Sequence, residues 1–158
     1  MAPIKVLCVD DNRAMTALVE VVLGFEPDLV SVGGLHHAAD LLEEVEQRGA
    51  DVVLLDLHMP GAEPLEELSR LMASRPATTV LLFSASEDSA EIEQGLLAGA
   101  CGYLGKDADP AELTTAVRRA AGQGKSDTSR VNACCRSSVN SVRVISSPPS
   151  ELSTGVTI

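Results

Sequence analysis

Three carboxylates stand where they could act together. Asp56 ends the hydrophobic run Val52-Val53-Leu54-Leu55, and His58-Met59-Pro60-Gly61 follows one residue later as a turn. The run reads as a buried parallel strand, which puts Asp56 where that strand emerges at the carboxyl edge of a sheet. Asp10-Asp11 ends a second apolar run, Ile4-Lys5-Val6-Leu7-Cys8-Val9. If the two strands lie side by side, three acids share one small space. Such crowding is costly unless a hard cation or a proton relieves it. The pattern points to a Mg²⁺ site with one carboxylate left for chemistry.

The elements that must hold these acids are legible up to about Gly124. Strands are expected at Ile4–Val9, Leu29–Gly33, Val52–Leu55, Val80–Phe83 and Gly102–Leu104. Helical spacing lies between them. Met15, Leu18, Val19 and Val22 make one stripe, Ala38, Leu41, Leu42 and Val45 a second, and Leu65, Leu68 and Met72 a third behind Pro64. Ser89–Ala98 carries Ile92 and Leu96, and Asp88-Ser-Ala-Glu91 reads as a capping box. The last helix starts at Asp109-Pro110-Ala111-Glu112, continues through Leu113, Ala116 and Val117, and Gly122 reads as its stop. Five βα units in succession predict a doubly wound α/β fold with a five-stranded parallel sheet, whose functional crevice lies at the carboxyl ends of the strands.

Composition narrows the function further. The chain has 158 residues, a net charge of −11, no Trp, one Tyr and two Phe. Phosphate backbones select basic surfaces and base stacking needs aromatic rings, so direct contact with nucleic acid is not expected. Cys8 and Cys101 fall in or near apolar segments and read as small core residues, while Cys134-Cys135 has no metal spacing. A reducing, cytoplasmic setting and no membrane span are expected. His36, His37 and His58 show no ligand spacing either. Residues 125–158 are Ser-rich, carry Pro148-Pro149, and lack amphipathic periodicity, which predicts a disordered tail. A nucleotide-binding loop is excluded. Gly105-Lys106 is followed by Asp107, and Gly124-Lys125-Ser126 has Arg119 where the leading Gly must fall.

Val9-Asp10-Asp11, Leu54-Leu55-Asp56-Leu-His-Met-Pro-Gly61, Leu81-Leu82-Phe83-Ser84-Ala85 and Ala98-Gly-Ala-Cys-Gly-Tyr103-Leu-Gly-Lys106-Asp107 occur in that order. Together they resemble the receiver domain of bacterial two-component response regulators, CheY-like in fold, over roughly Ile4 to Gly124. The wording of the last motif is similar to the NarL/FixJ branch. The resemblance implies a sheet of order 2-1-3-4-5, a receiver domain over residues 1–124, and an aspartyl phosphate on Asp56. It implies Mg²⁺ held by Asp11, Asp56 and the backbone carbonyl of His58, with Asp10 acting through a metal-bound water. Lys106 and Ser84 would contact the phosphoryl oxygens.

As Ser84 moves, Tyr103 would turn inward and alter the surface of the fourth helix, fifth strand and fifth helix. That surface is also the expected contact of a homodimer. The implied phosphodonor is a sensor histidine kinase or a phosphotransfer protein, and the implied catalysis extends only to the chain's own phosphorylation and dephosphorylation. Three features depart from the family pattern. Ala62-Glu63-Pro64 replaces its Met-Asp-Gly, and Asn12 stands where this branch often has His. Nothing after Gly124 has the spacing of a helix-turn-helix. A phosphorylation-independent docking module and a truncated DNA-binding regulator are the alternative readings.

Overall fold

The computed structural model describes residues 2–61, 63–86 and 88–123. The Ser-rich stretch 125–158, with Cys134 and Cys135, lies outside the described residues. Five strands alternate with five helices: β1 (Ile4–Val9), α1 (Arg13–Gly24), β2 (Leu29–Leu35), α2 (Leu41–Arg48), β3 (Val52–Leu55), α3 (Pro64–Ser74), β4 (Thr79–Ser84), α4 (Ser89–Leu97), β5 (Gly102–Gly105) and α5 (Pro110–Gln123). All strand pairs are parallel, in the order β2-β1-β3-β4-β5. This is the flavodoxin-like, CheY-like arrangement expected from the sequence.

β3, β4 and the second half of β1 are buried on both faces, so alternate residues feed two cores. Val6, Cys8 and Leu54 pack with α1 and α5, whereas Leu7, Val9, Val53 and Leu55 pack with α2, α3 and α4. Both Cys8 and Cys101 are core residues, as expected. Burial, with a smaller contribution from Asp10, pushes the Cys8 thiol up to about 12, which leaves it unreactive at neutral pH. No helix among the described residues is long and apolar enough to cross a membrane.

Four local readings change. First, β2 runs two residues past Gly33, because the β1–β2 register shifts between Val6 and Cys8 and Gly33 absorbs the irregularity at φ 111°. Arg48 Nη1 donates to the Val32 carbonyl there (2.9 Å) and occupies the space a Cβ at Gly33 would need.

Second, Leu18 is not in the core. Helix α1 packs through Thr16, Val19 and Leu23, and Leu18 is 55% exposed. With Val21 and Phe25 (82% exposed) it forms an outward apolar strip, because α1 is apolar on two sides and spacing alone does not say which one is covered.

Third, Asp88 caps α4 through Ala90 N (2.9 Å), but the box is not closed. Ser86 Oγ takes the Asp88 amide (3.1 Å), and Glu91 contacts His58 instead. The reciprocal box forms at α5, where Glu112 N donates to Asp109 Oδ1 (2.8 Å) and Asp109 N to Glu112 Oε2 (3.0 Å). Fourth, α5 continues through Gly122 to Gln123 rather than stopping there.

Candidate functional site

Strand register brings the acids together. Val9 pairs with Leu55 across β1 and β3, so the residues that follow, Asp10 and Asp56, leave the sheet at the same level. The Asp56 amide donates to the Val9 carbonyl (3.0 Å), which fixes that level. On the other side of β3, Leu55 pairs with Leu82. Ser84 then pairs with Gly105, and the Lys106 amide donates to the Ser84 carbonyl (3.0 Å). Four adjacent strand ends thereby deliver Asp10, Asp56, Ser84 and Lys106 to one crevice.

Within it, ligand oxygens of Asp10, Asp11 and Asp56 all lie within 4.8 Å of one another. Asp10 and Asp56 are buried, and Asp11 is exposed at the mouth. Lys106 Nζ stands 2.6 Å from Asp10 Oδ2 and 2.9 Å from Asp56 Oδ2. Burial disfavours its charge, but the bonds to Asp10 and Asp56 outweigh burial and hold the ammonium above its ordinary value of 10.5. The lysine expected to meet a phosphoryl group thus neutralises part of the acid cluster meanwhile.

The remaining oxygens are oriented by backbone. Asn12 N donates to Asp10 Oδ1 (2.9 Å) and His58 N to Asp56 Oδ1 (3.0 Å). The residues present fit a hard dication. Asp10 Oδ2 is buried and has the Lys106 ammonium as its one neighbouring cation, with no other donor facing it among the described residues. Three carboxylates against one ammonium leave uncompensated negative charge, and oxygen-only donors suit Mg²⁺.

Ser84 is buried at the end of β4, where its Oγ accepts from Ser86 N (3.2 Å). Tyr103 is turned inward in this structure. The ring is 3% exposed, and its hydroxyl donates to the Ser86 carbonyl (2.7 Å) and more weakly to that of Ser84 (3.3 Å). These carbonyls of the β4–α4 loop satisfy the buried hydroxyl. Tyr103→Phe keeps the ring packed but removes this donor. We expect stability in urea to fall by about 1 kcal/mol, and an unchanged unfolding midpoint would show that the loop finds its partners elsewhere.

Spacing did not reveal three other residues. Asn12, left without a role by the sequence, caps α1 by accepting from Ala14 N (3.0 Å) and Met15 N (3.4 Å), and so aims the Asp10-Asp11 turn. His36 Nδ1 lies 3.1 Å from the Asp10 carbonyl, bracing the same turn from β2. His58 Nε2 lies 2.8 Å from Glu91 Oε2 on α4. Asn12 at least carried a readable signal, since Asn before a helical pattern is a common cap.

Comparison with known proteins agrees with this geometry. The response regulator receiver domain profile matches residues 6–118. The nitrate/nitrite response regulator NarL of Escherichia coli is 33% identical over 119 residues, covering 75% of this chain and 55% of that protein. A protein-glutamate methylesterase of Caulobacter vibrioides is 34% identical over 110 residues, 69% of this chain and 32% of that one. The chain therefore spans about half the length, or less, of these relatives. Among solved structures, the NarL receiver domain of Mycobacterium tuberculosis superposes with a TM-score of 0.72 at 30% identity, covering 77% of this chain and 98% of that domain. The profile covers well over half of the sequence, and the strand order and acid-lined crevice match it: this chain belongs to the response regulator receiver family of two-component systems.

Proposed function

We propose that the chain accepts a phosphoryl group on Asp56 from a sensor histidine kinase or phosphotransfer protein and answers by remodelling the surface of α4, β5 and α5. One observation carries this reading: a buried carboxylate at a strand end, within 4.8 Å of two other acids and 2.9 Å from an ammonium. A carboxylate oxygen of Asp56 attacks phosphorus, the bond from phosphorus to the donor histidine nitrogen breaks, and that nitrogen keeps the electron pair and takes up a proton. Anionic nucleophile and anionic phosphoryl group repel, so charge must be neutralised along the approach. Lys106 is placed to move from Asp10 and Asp56 onto a phosphoryl oxygen. Asp11, Asp56 and the His58 carbonyl would hold Mg²⁺, which supplies the remaining positive charge, while Asp10 acts through a bound water.

Ser84 would exchange its bond from Ser86 N for one to the phosphoryl group, pulling on the loop that Tyr103 also holds. The exposed Leu97 on α4 supports that face as the place where two phosphorylated copies meet. The receiver unit is assigned to residues 1–124, in a cytoplasmic setting, with no catalysis beyond its own phosphorylation and dephosphorylation. The esterase activity named for the Caulobacter relative belongs to that protein, only about a third of which is matched here. Incubation with Mg²⁺ and acetyl phosphate is expected to yield a singly phosphorylated species in intact-protein mass spectra, lost in Asp56→Asn. No such species, or one that survives the substitution, would overturn the reading.

A further inference from the structure

Two side chains near the crevice are used neither by the phosphoryl chemistry nor by the helix cap. His58 sits two residues after the acceptor, and its ring contacts Glu91 at 2.8 Å, with both side chains partly exposed. Glu91 lies in the first turn of α4. The α4 end is also reached from the other side, through Ser86. That residue's carbonyl takes the Tyr103 hydroxyl, and its Oγ takes the Asp88 amide. The start of α4 is thus tied to the site twice, once from β4 and β5 and once from the loop after β3.

We propose that His58 is a positioning residue whose ring clasps Glu91, so that the first turn of α4 follows the acceptor loop by a route that bypasses Ser84. This rests on Asp56 being the acceptor. The path is short. The His58 amide donates to Asp56 Oδ1 at 3.0 Å, so backbone and ring of one residue join the acceptor carboxylate to α4. Once Asp56 becomes a mixed anhydride with phosphate, its carboxyl oxygens share less negative charge, and the bond from His58 N weakens. The His58 backbone is then released from the carboxylate, and the clasp passes that displacement to Glu91. A purely local role for Glu91 is the competing account, since a carboxylate in the first turn favours any helix through its dipole.

Amide hydrogen exchange of residues 90–93 in the full chain separates the two. Without phosphodonor, Glu91→Ala and His58→Ala are each expected to speed exchange about two- to fivefold, the loss expected of one solvent-exposed hydrogen bond. The double variant should go little further. Glu91→Gln, whose amide oxygen still accepts from the ring, should stay near wild type. With Mg²⁺ and acetyl phosphate, the phosphorylation-induced change at α4 should be about halved in Glu91→Ala. It should nearly vanish when Ser84→Ala is added, because both routes are then cut.

Additive single effects, or Glu91→Gln behaving like Glu91→Ala, would assign Glu91 to the helix dipole and overturn the clasp. So would a full response at α4 in phosphorylated Glu91→Ala. Failure of the wild type to take up phosphate would instead count against the acceptor reading, while the phosphodonor-free comparison still judges the clasp.

Discussion

Asp56→Asn is expected to melt at a higher temperature than the wild type when divalent ions are chelated, although it removes the residue on which function depends. Asn keeps an oxygen for the His58 amide, which now bonds Asp56 Oδ1 at 3.0 Å, so no backbone donor is orphaned. What changes is charge. Asp56 has Asp10 and Asp11 within 4.8 Å and Lys106 at 2.9 Å. At an effective dielectric constant near 20, each repulsion amounts to roughly 3 kcal/mol and the attraction to roughly 6.

These nearly cancel. The balance is then decided by desolvation of a carboxylate buried at the strand end, which the amide avoids in large part. Lys106 retains Asp10 at 2.6 Å as its partner, so no cation is stranded. The net gain is about 1 kcal/mol, or a few degrees in Tm for a domain of this size. Mg²⁺ should reverse the order, because only the wild type keeps all three acids and gains the stabilisation of an ion that binds the folded state alone. Thermal melts with chelator and with excess Mg²⁺ test both halves. A variant less stable than wild type in chelator would mean that the Lys106 pair outweighs the desolvation of the buried Asp56 carboxylate.

The fold and the crevice were readable from the sequence because the same residues specify both. Val52–Leu55 must be a buried strand, and an acid at its end can only face the sheet's carboxyl edge. Pro64 and Asp109-Pro110 mark helix starts through backbone chemistry that needs no tertiary partner. Where the reading faltered, the answer lay in contacts between elements far apart in sequence. Leu18 and Val19 look alike by period, and only the placement of α1 against β1 and α5 covers one and exposes the other. Glu91 satisfies the capping-box pattern, yet a histidine 33 positions earlier holds it away from the cap, and the cap amide takes Ser86 instead. The partners of the Tyr103 hydroxyl, the carbonyls of Ser84 and Ser86, likewise come from another strand and its following loop, which spacing does not show. His36 is similar: a ring beside the Asp10 carbonyl is set by how β2 and β1 lie together, and nothing in the spacing announces it.

Lys106→Met should be the most damaging single change at the site without metal. The lysine side chain is 15% exposed and touches Asp10, which is fully buried, as well as Asp56. Removing it leaves two carboxylates facing each other with no cation between them. Breaking a buried pair by deleting one partner costs about 3–5 kcal/mol, and a crevice open to solvent on one side lowers that to about 2–3 kcal/mol. Mg²⁺ should restore much of the stability but not the chemistry, where acyl-phosphate formation falls about 100-fold because a charged donor to the transferring oxygens is missing.

The alkaline range isolates the ammonium. Its pKa is higher in the folded protein than its ordinary value of 10.5, since its bonds to Asp10 and Asp56 outweigh burial. The stability it contributes is therefore complete below the unfolded value and lost as pH rises through the folded one. Urea unfolding of wild type and variant should run parallel from neutral pH to about 10 and converge only above it. Convergence near neutrality would mean that Lys106 is not charged where the acids need it, and the neutralisation on which phosphoryl approach depends would have to come from the metal alone.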